Sequence, residues 1–227
     1  MSEKSAGPTA ADIAGALRDE TGELGLSRQQ TRLFIQALRL LALGRPVTRE
    51  QVAQIAAGLE MPSEEAQTTL DLMSERSGQG GAAQIVGLGG LSLNNWTHKL
   101  RLGGRAFSTW CAFDTLYLPP LLGQVGEVES PDPITKEPVQ LTVTPAGLGR
   151  YSPAGAVISM VVPQVSGQGL QSAEQIWSTF CNYSHYFASP ATARQWFSTQ
   201  AVEPVILALE EGNQLASQWA ERLGRAA

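Results

Sequence analysis

The chain has 227 residues, a formal net charge of −5 and 43% hydrophobic residues. That length buries a sizeable core without disulfide staples, and the hydrophobic content excludes a disordered chain. The mild acidity argues against a nucleic-acid partner held by bulk positive charge. No apolar run reaches the ~18 residues of a membrane span, and the start, Met1-Ser-Glu-Lys, lacks the charged-then-apolar layout of a signal peptide. The expectation is a soluble cytoplasmic protein with no membrane or nucleic-acid partner.

Residues 1–25, rich in Ala, Gly, Ser and Thr, read as a partly ordered extension with a short helix near Asp12–Asp19. From Ser27 the pattern turns helical, with Leu33, Phe34, Ala37, Leu38, Leu40 and Leu41 on one face. Gly44-Arg-Pro46 ends that helix. Thr48 with Gln51 forms a capping box for a second helix, and Ser63-Glu-Glu-Ala opens a third carrying Ala66, Leu70 and Met73. Three short helices joined by tight turns predict a helical, winged-helix-like domain over 26–80. Its third helix offers Glu64, Glu65, Asp71 and Glu75 against Arg76 alone. A DNA backbone would repel that face, so the unit is read as structural, covering one side of the next domain.

Ser77-Gly-Gln-Gly-Gly-Ala is a flexible joint, and beyond it the period shortens. Strands are predicted at Gln84–Leu88, Leu91–Leu93, Thr97–Leu102 and Arg105–Thr109, with turns at Gly89-Gly90 and Gly103-Gly104. Further strands are predicted near Glu127–Glu129, Val139–Thr144, Ala156–Val162 and Phe180–Phe187, and helices from Pro190 to Phe197, led by Ser189 as cap, and from Ala208 to Leu223. The fold class is therefore α+β: a helical N-terminal domain, then a mainly antiparallel sheet domain over 81–227 flanked by helices.

The only cysteines, Cys111 and Cys181, lie 70 positions apart. A structural disulfide is not expected in a reducing compartment. The pair reads equally well as small buried hydrophobes. Adding His98 and His185 gives the residue types of a zinc site, but the short paired spacings of structural zinc are absent. Trp110-Cys-Ala-Phe-Asp114 follows a strand and opens a helix, where Cys111 and Asp114 share a face and the helix dipole favours thiolate. The same residues also serve as a plain N-terminal cap. On an extended strand, Cys181, Tyr183 and His185 face one way and Asn182, Ser184 and Tyr186 the other.

Two blocks, Trp110-Cys-Ala-Phe-Asp-Thr-Leu116 and Phe180-Cys-Asn-Tyr-Ser-His-Tyr-Phe-Ala-Ser189, together with Gly44-Arg-Pro-Val-Thr48, resemble the organomercurial (alkylmercury) lyases of bacterial mercury resistance. Pro138-Val-Gln-Leu-Thr-Val-Thr-Pro145 and Val162-Pro-Gln also match in order, so the likeness runs from about residue 30 to the C-terminus. The resemblance implies protonolysis of a carbon–mercury bond, with Cys111, Asp114 and Cys181 as the catalytic trio. It also implies Cys111 and Cys181 as the mercury ligands. No resident cofactor is implied; external thiols support turnover, and mercuric reductase or cytosolic thiols accept Hg(II), with a monomer or dimer as the working state. Where some members carry further cysteines, this chain has Ser130-Pro-Asp-Pro and Asn182. The alternatives are a non-catalytic organomercury- or metal-binding relative and a metal-sensing winged-helix regulator.

The implied chemistry suits these residues. Mercury is soft and prefers thiolate. One thiolate captures R–Hg⁺, a second weakens the bond to carbon, and the departing carbon needs a proton from a nearby acid. Asp114 serves as that acid only if burial keeps it protonated or if it takes a proton from a thiol.

Overall fold

The chain, in a computed structural model, is described over residues 7–16, 25–78, 83–162 and 172–226. Ser27 caps helix α2 (Arg28–Leu41) through a capping box with Gln30, and Thr48 caps α3 (Arg49–Gly58) through the predicted box with Gln51. Each box satisfies two amides that a helix start leaves without partners. The apolar stripe of α2 (Leu33, Phe34, Ala37, Leu38 and Leu41) is fully buried. The next helix, α4, spans Ser63–Leu72.

Before these lies α1 (Ala10–Ala16). The predicted extension holds more structure than its composition implies: Ile13 is fully buried in the same core as α2. The rest of the predicted Asp12–Asp19 helix, from residue 17, lies outside the described residues, as does most of the glycine joint after Gly78.

Helix α4 stops at Leu72, so Glu75 and Arg76 leave the acidic helix face on which the sequence pattern put them. They belong to strand β1 (Ser74–Ser77), where Arg76 pairs with Asp71. Strand β1 pairs antiparallel with β2 (Gln84–Leu88). The sheet continues through β3 (Leu91–Ser92), β4 (His98–Leu102), β5 (Arg105–Thr109), β6 (Gly126–Pro131), β7 (Pro138–Thr144) and β8 (Gly147–Ser152). Its order is β1-β2-β3-β5-β4-β6-β7-β8 and every pairing is antiparallel. Sheet pairing thus crosses the boundary predicted at residue 80.

The pleat sorts the residues by face. On β4, His98, Leu100 and Leu102 are buried while Lys99 and Arg101 are exposed; the latter stand opposite Glu129 and Glu127 of β6. Helix α5 (Ala112–Leu122) lies on the buried face, with every residue from Ala112 to Pro119 buried, and ends at the left-handed Gly123. The C-terminal helix α8 (Leu209–Ala226) packs along it. A small second sheet, ordered β10-β9-β11, joins Tyr186–Phe187, Val157–Met160 and Val205–Ala208. Helix α7 (Pro190–Phe197), capped by Ser189 as expected, follows β10. The architecture is α+β with mainly antiparallel sheet. Among the described residues no helix is long and apolar enough to cross a membrane.

The predicted strand over Phe180–Phe187 is corrected. Helix α6 (Ala173–Thr179) ends there, Cys181–Tyr183 form one turn of 3-10 helix, and only Tyr186–Phe187 are strand. The aromatic residues that give this stretch its β propensity pack in three dimensions instead. The turn is closed by His185 Nε2 against the Asn182 carbonyl at 2.9 Å and by the Ser159 hydroxyl donating to the Tyr183 carbonyl at 2.7 Å.

Candidate active site

Cys111 ends the run of extended backbone after β5 and is the N-cap of α5. Its own N–H donates to Asp114 Oδ2 at 2.9 Å, completing a capping box that folds the carboxylate back over the thiol. The next two amides of α5 are satisfied from far along the chain. Ala112 N–H donates to the Ser184 carbonyl at 3.1 Å, and Phe113 N–H to the Ser184 hydroxyl at 3.2 Å. A buried helix start needs such acceptors. Here they come from the residue that follows the Cys181 turn, so satisfying the amides of α5 draws Cys181 to Cys111.

The outcome is a buried cluster. The two sulfurs and an Asp114 carboxylate oxygen all lie within 4.8 Å of one another. Cys111 is 0%, Cys181 2% and Asp114 6% exposed. Among the described residues this is the one group of three or more Cys, His, Asp or Glu side chains close enough to share a metal ion. His98 and His185 do not join it. Their rings stack on each other at 5.7 Å, with His98 Nδ1 at 2.8 Å from the Ser130 hydroxyl. Burial lowers the pKa of both, that of His98 to about 3, so this pair is neutral packing.

The strand periodicity also misassigned the second block. Cys181 and Ser184 do not face opposite ways: both reach Cys111, because a 3-10 turn brings positions three apart onto one side.

Electrostatics follow from burial. Desolvation raises the Asp114 pKa to about 7, against the pull of hydrogen bonds from the Cys111 amide and thiol. Burial also raises Cys111, which outweighs the thiolate-favouring dipole expected from its place at a helix start. Cys181 rises because it hydrogen-bonds to Cys111 and because it too is buried. At neutral pH the resting site therefore holds two thiols beside a carboxyl whose pKa burial has lifted into the neutral range.

Two further features escaped the sequence reading. The turn between β2 and β3 presses on the carboxylate: Gly90, at φ +81°, lies so close that a Cβ there would sit 2.2 Å from Asp114 Cγ. Its carbonyl accepts the Trp110 N–H at 3.0 Å. Tyr117, one turn along α5 from Phe113, donates its hydroxyl to the neighbouring Gly89 carbonyl. The dipeptide Gly89-Gly90 is legible as a turn; the side chain facing it is not.

A buried pair of thiols with a proton-bearing carboxyl is an acid joined to a soft-metal chelate. The family model for alkylmercury lyase (MerB) matches residues 91–221. The alkylmercury lyase of Pseudomonas putida is 36% identical over 74% of this chain and 73% of its own length. The chain belongs to the alkylmercury lyase family. Within that family, the enzyme of Streptomyces lividans is 35% identical over 80% of this chain and 79% of its own. That of Staphylococcus epidermidis is 33% identical over 89% and 90%. The fold resembles the crystal structure of the mercury-bound form of MerB2, with a TM-score of 0.70 over 94% of this chain and 98% of that one, at 22% identity. The matched segment contains both cysteines and Asp114, while β1 and β2 lie before it.

Proposed function

We propose that this protein is an organomercurial lyase that cleaves the carbon–mercury bond by protonolysis, releasing a hydrocarbon and Hg(II) in mercury detoxification. The observation that carries the reading is the convergence of Cys111, Asp114 and Cys181, the whole thiol inventory and a buried acid, within 4.8 Å. Family membership supports it.

The chemistry balances on these three side chains. Cys181 displaces a ligand from R–Hg–X, giving Cys181–S–Hg–R and HX. The Cys111 thiol then bonds to the same mercury and its proton reaches the departing carbon through Asp114, giving R–H and a Cys111–S–Hg–S–Cys181 chelate. Asp114 with a pKa near 7 suits this relay: it holds a proton in part of the population and accepts one from a thiol in the rest. Two external thiols exchange the mercury away and restore both cysteines. No resident cofactor enters the scheme; Hg(II) is product, passed to small thiols or to mercuric reductase in the cytoplasm, by a monomer or dimer.

Residues 81–227 are read as the catalytic part and 26–80 as a winged-helix-like cover, α2–α4 followed by the antiparallel pair β1–β2 supporting the latter order. The acidic start of α4, Glu64 and Glu65, weighs against the regulator alternative.

The test is purified protein with phenylmercuric acetate and excess small thiol, with benzene measured in the headspace. Catalytic benzene release is expected. Tight mercury binding without benzene would replace the enzyme reading with the non-catalytic one.

A further inference from the structure

We propose that Glu75, outside the family-matched segment, is a positioning residue that fixes Cys111 for two-thiol chelation of mercury. The proposal rests on the reading of Cys111 and Cys181 as the mercury ligands. Glu75 sits on β1 directly opposite Gly87 of β2. A Cβ at Gly87 would lie 2.5 Å from Glu75 Oε1 and 2.7 Å from its Cδ, so the missing side chain is the channel through which the carboxylate crosses the neighbouring strand. Across that strand it gathers three side-chain donors. Asn94 Nδ2 donates to Oε2 at 2.6 Å, Trp96 Nε1 donates to Oε1 at 3.0 Å, and Trp110 Nε1 donates to the same Oε1.

Trp110 is the residue before the Cys111 N-cap and is 7% exposed. Its indole is tied to Glu75 and its backbone N–H to Gly90, the residue that abuts the Asp114 carboxyl. The segment delivering Cys111 is thereby held at both ends of Trp110. A bond between two indoles and one carboxylate is charge-assisted and directional, so it fixes orientation beyond what apolar packing requires. Simple packing would be served by any apolar neighbour, and would not call for a carboxylate with a glycine facing it.

The experiment separates one-thiol from two-thiol binding. Protein with Glu75, Glu75→Ala and Glu75→Gln, each carrying Asp114→Asn so that phenylmercury is bound and not cleaved, is titrated with phenylmercury, which one cysteine captures, and with Hg(II), which needs both; turnover is read in the same variants with Asp114 intact. Competition with a small thiol sets the scale and thermal melts are run alongside. For Glu75→Ala we expect Hg(II) affinity to fall about tenfold or more and turnover with it, a loss in the range that a misplaced catalytic group produces, while phenylmercury affinity stays within about threefold. Glu75→Gln keeps a carbonyl oxygen for both indoles and is expected to restore Hg(II) affinity. Should Glu75→Ala not fold, Trp110→Phe removes only the indole donor and is expected to show the same selective loss. Equal losses for both mercurials, or none, would overturn the proposal and reduce Glu75 to packing. A wild type that binds Hg(II) through one thiol would instead overturn the lyase reading, and this proposal with it.

Discussion

Replacing Gly90 by alanine tests whether the placement of Asp114, and not merely its presence, supports turnover. The new Cβ would lie 2.2 Å from Asp114 Cγ and 2.5 Å from both carboxylate oxygens. Carbon atoms in contact need about 3.5–4.0 Å, so the carboxyl must retreat by roughly 1.5 Å. Such a displacement of a reacting group costs about 10²-fold in rate, or about 2.7 kcal/mol of transition-state stabilisation. The positive φ of +81° adds a backbone penalty of about 1–2 kcal/mol to folding, which lowers Tm by roughly 2–8 °C in a chain of this size. The assay is benzene release from phenylmercury at saturating substrate, paired with Hg(II) affinity and a thermal melt. The expected pattern is a large fall in kcat, a modest fall in Tm, and Hg(II) binding nearly retained because neither sulfur is displaced. A Gly90→Ala protein that melts lower yet turns over within about threefold of wild type would mean that Asp114 tolerates the retreat and that its placement does not limit the rate.

Cys111→Ser and Cys181→Ser are each expected to reduce benzene release by more than about 10³-fold, and full turnover by either would remove that residue from the mechanism. Asp114 has a folded pKa of about 7 against an ordinary 3.8, so its contribution to stability is present below pH 4 and is lost as pH rises through 7. Asp114→Asn, which keeps an acceptor for the Cys111 amide, is therefore expected to gain stability relative to wild type as pH goes from 4 to 8, by on the order of a few kcal/mol, read as a rise in its Tm relative to wild type; a pH-independent difference would contradict the shift. Ser184→Ala strips the acceptor from the Phe113 amide and should cost about 1–3 kcal/mol, seen as a lowered Tm with slower turnover, whereas an unchanged Tm would mean that the two segments are held together by other contacts.

Much of this fold is legible because its signals are local. The Thr48–Gln51 box, the Gly103-Gly104 hairpin and the Ser189 cap each work within four residues, and the structure has all three. The site is half legible for the same reason. Cys111 and Asp114 lie on one helical turn, so spacing alone places them together. Cys181 is different. Its segment is rich in aromatic residues that read as strand, and only the unmet amides at the start of α5, 71 residues before Ser184, make a turn there worthwhile. Gly90 and Glu75 act across strand registers, which no spacing encodes. Burial of Asp114 likewise depends on the whole core, so its raised pKa is a property of the fold and not of the motif.

The burial of both sulfurs has a practical consequence. With no other cysteine in the chain, a thiol count on unfolded protein should read two, and any slower reading on the native protein comes from this site alone. A bulky maleimide reacts only when the protein around the thiols opens. Its labelling rate, compared with that of a small alkylating agent, is thus a gauge of how often the native protein breathes at the point where an organomercurial must enter. Loading with Hg(II) should silence both reagents together.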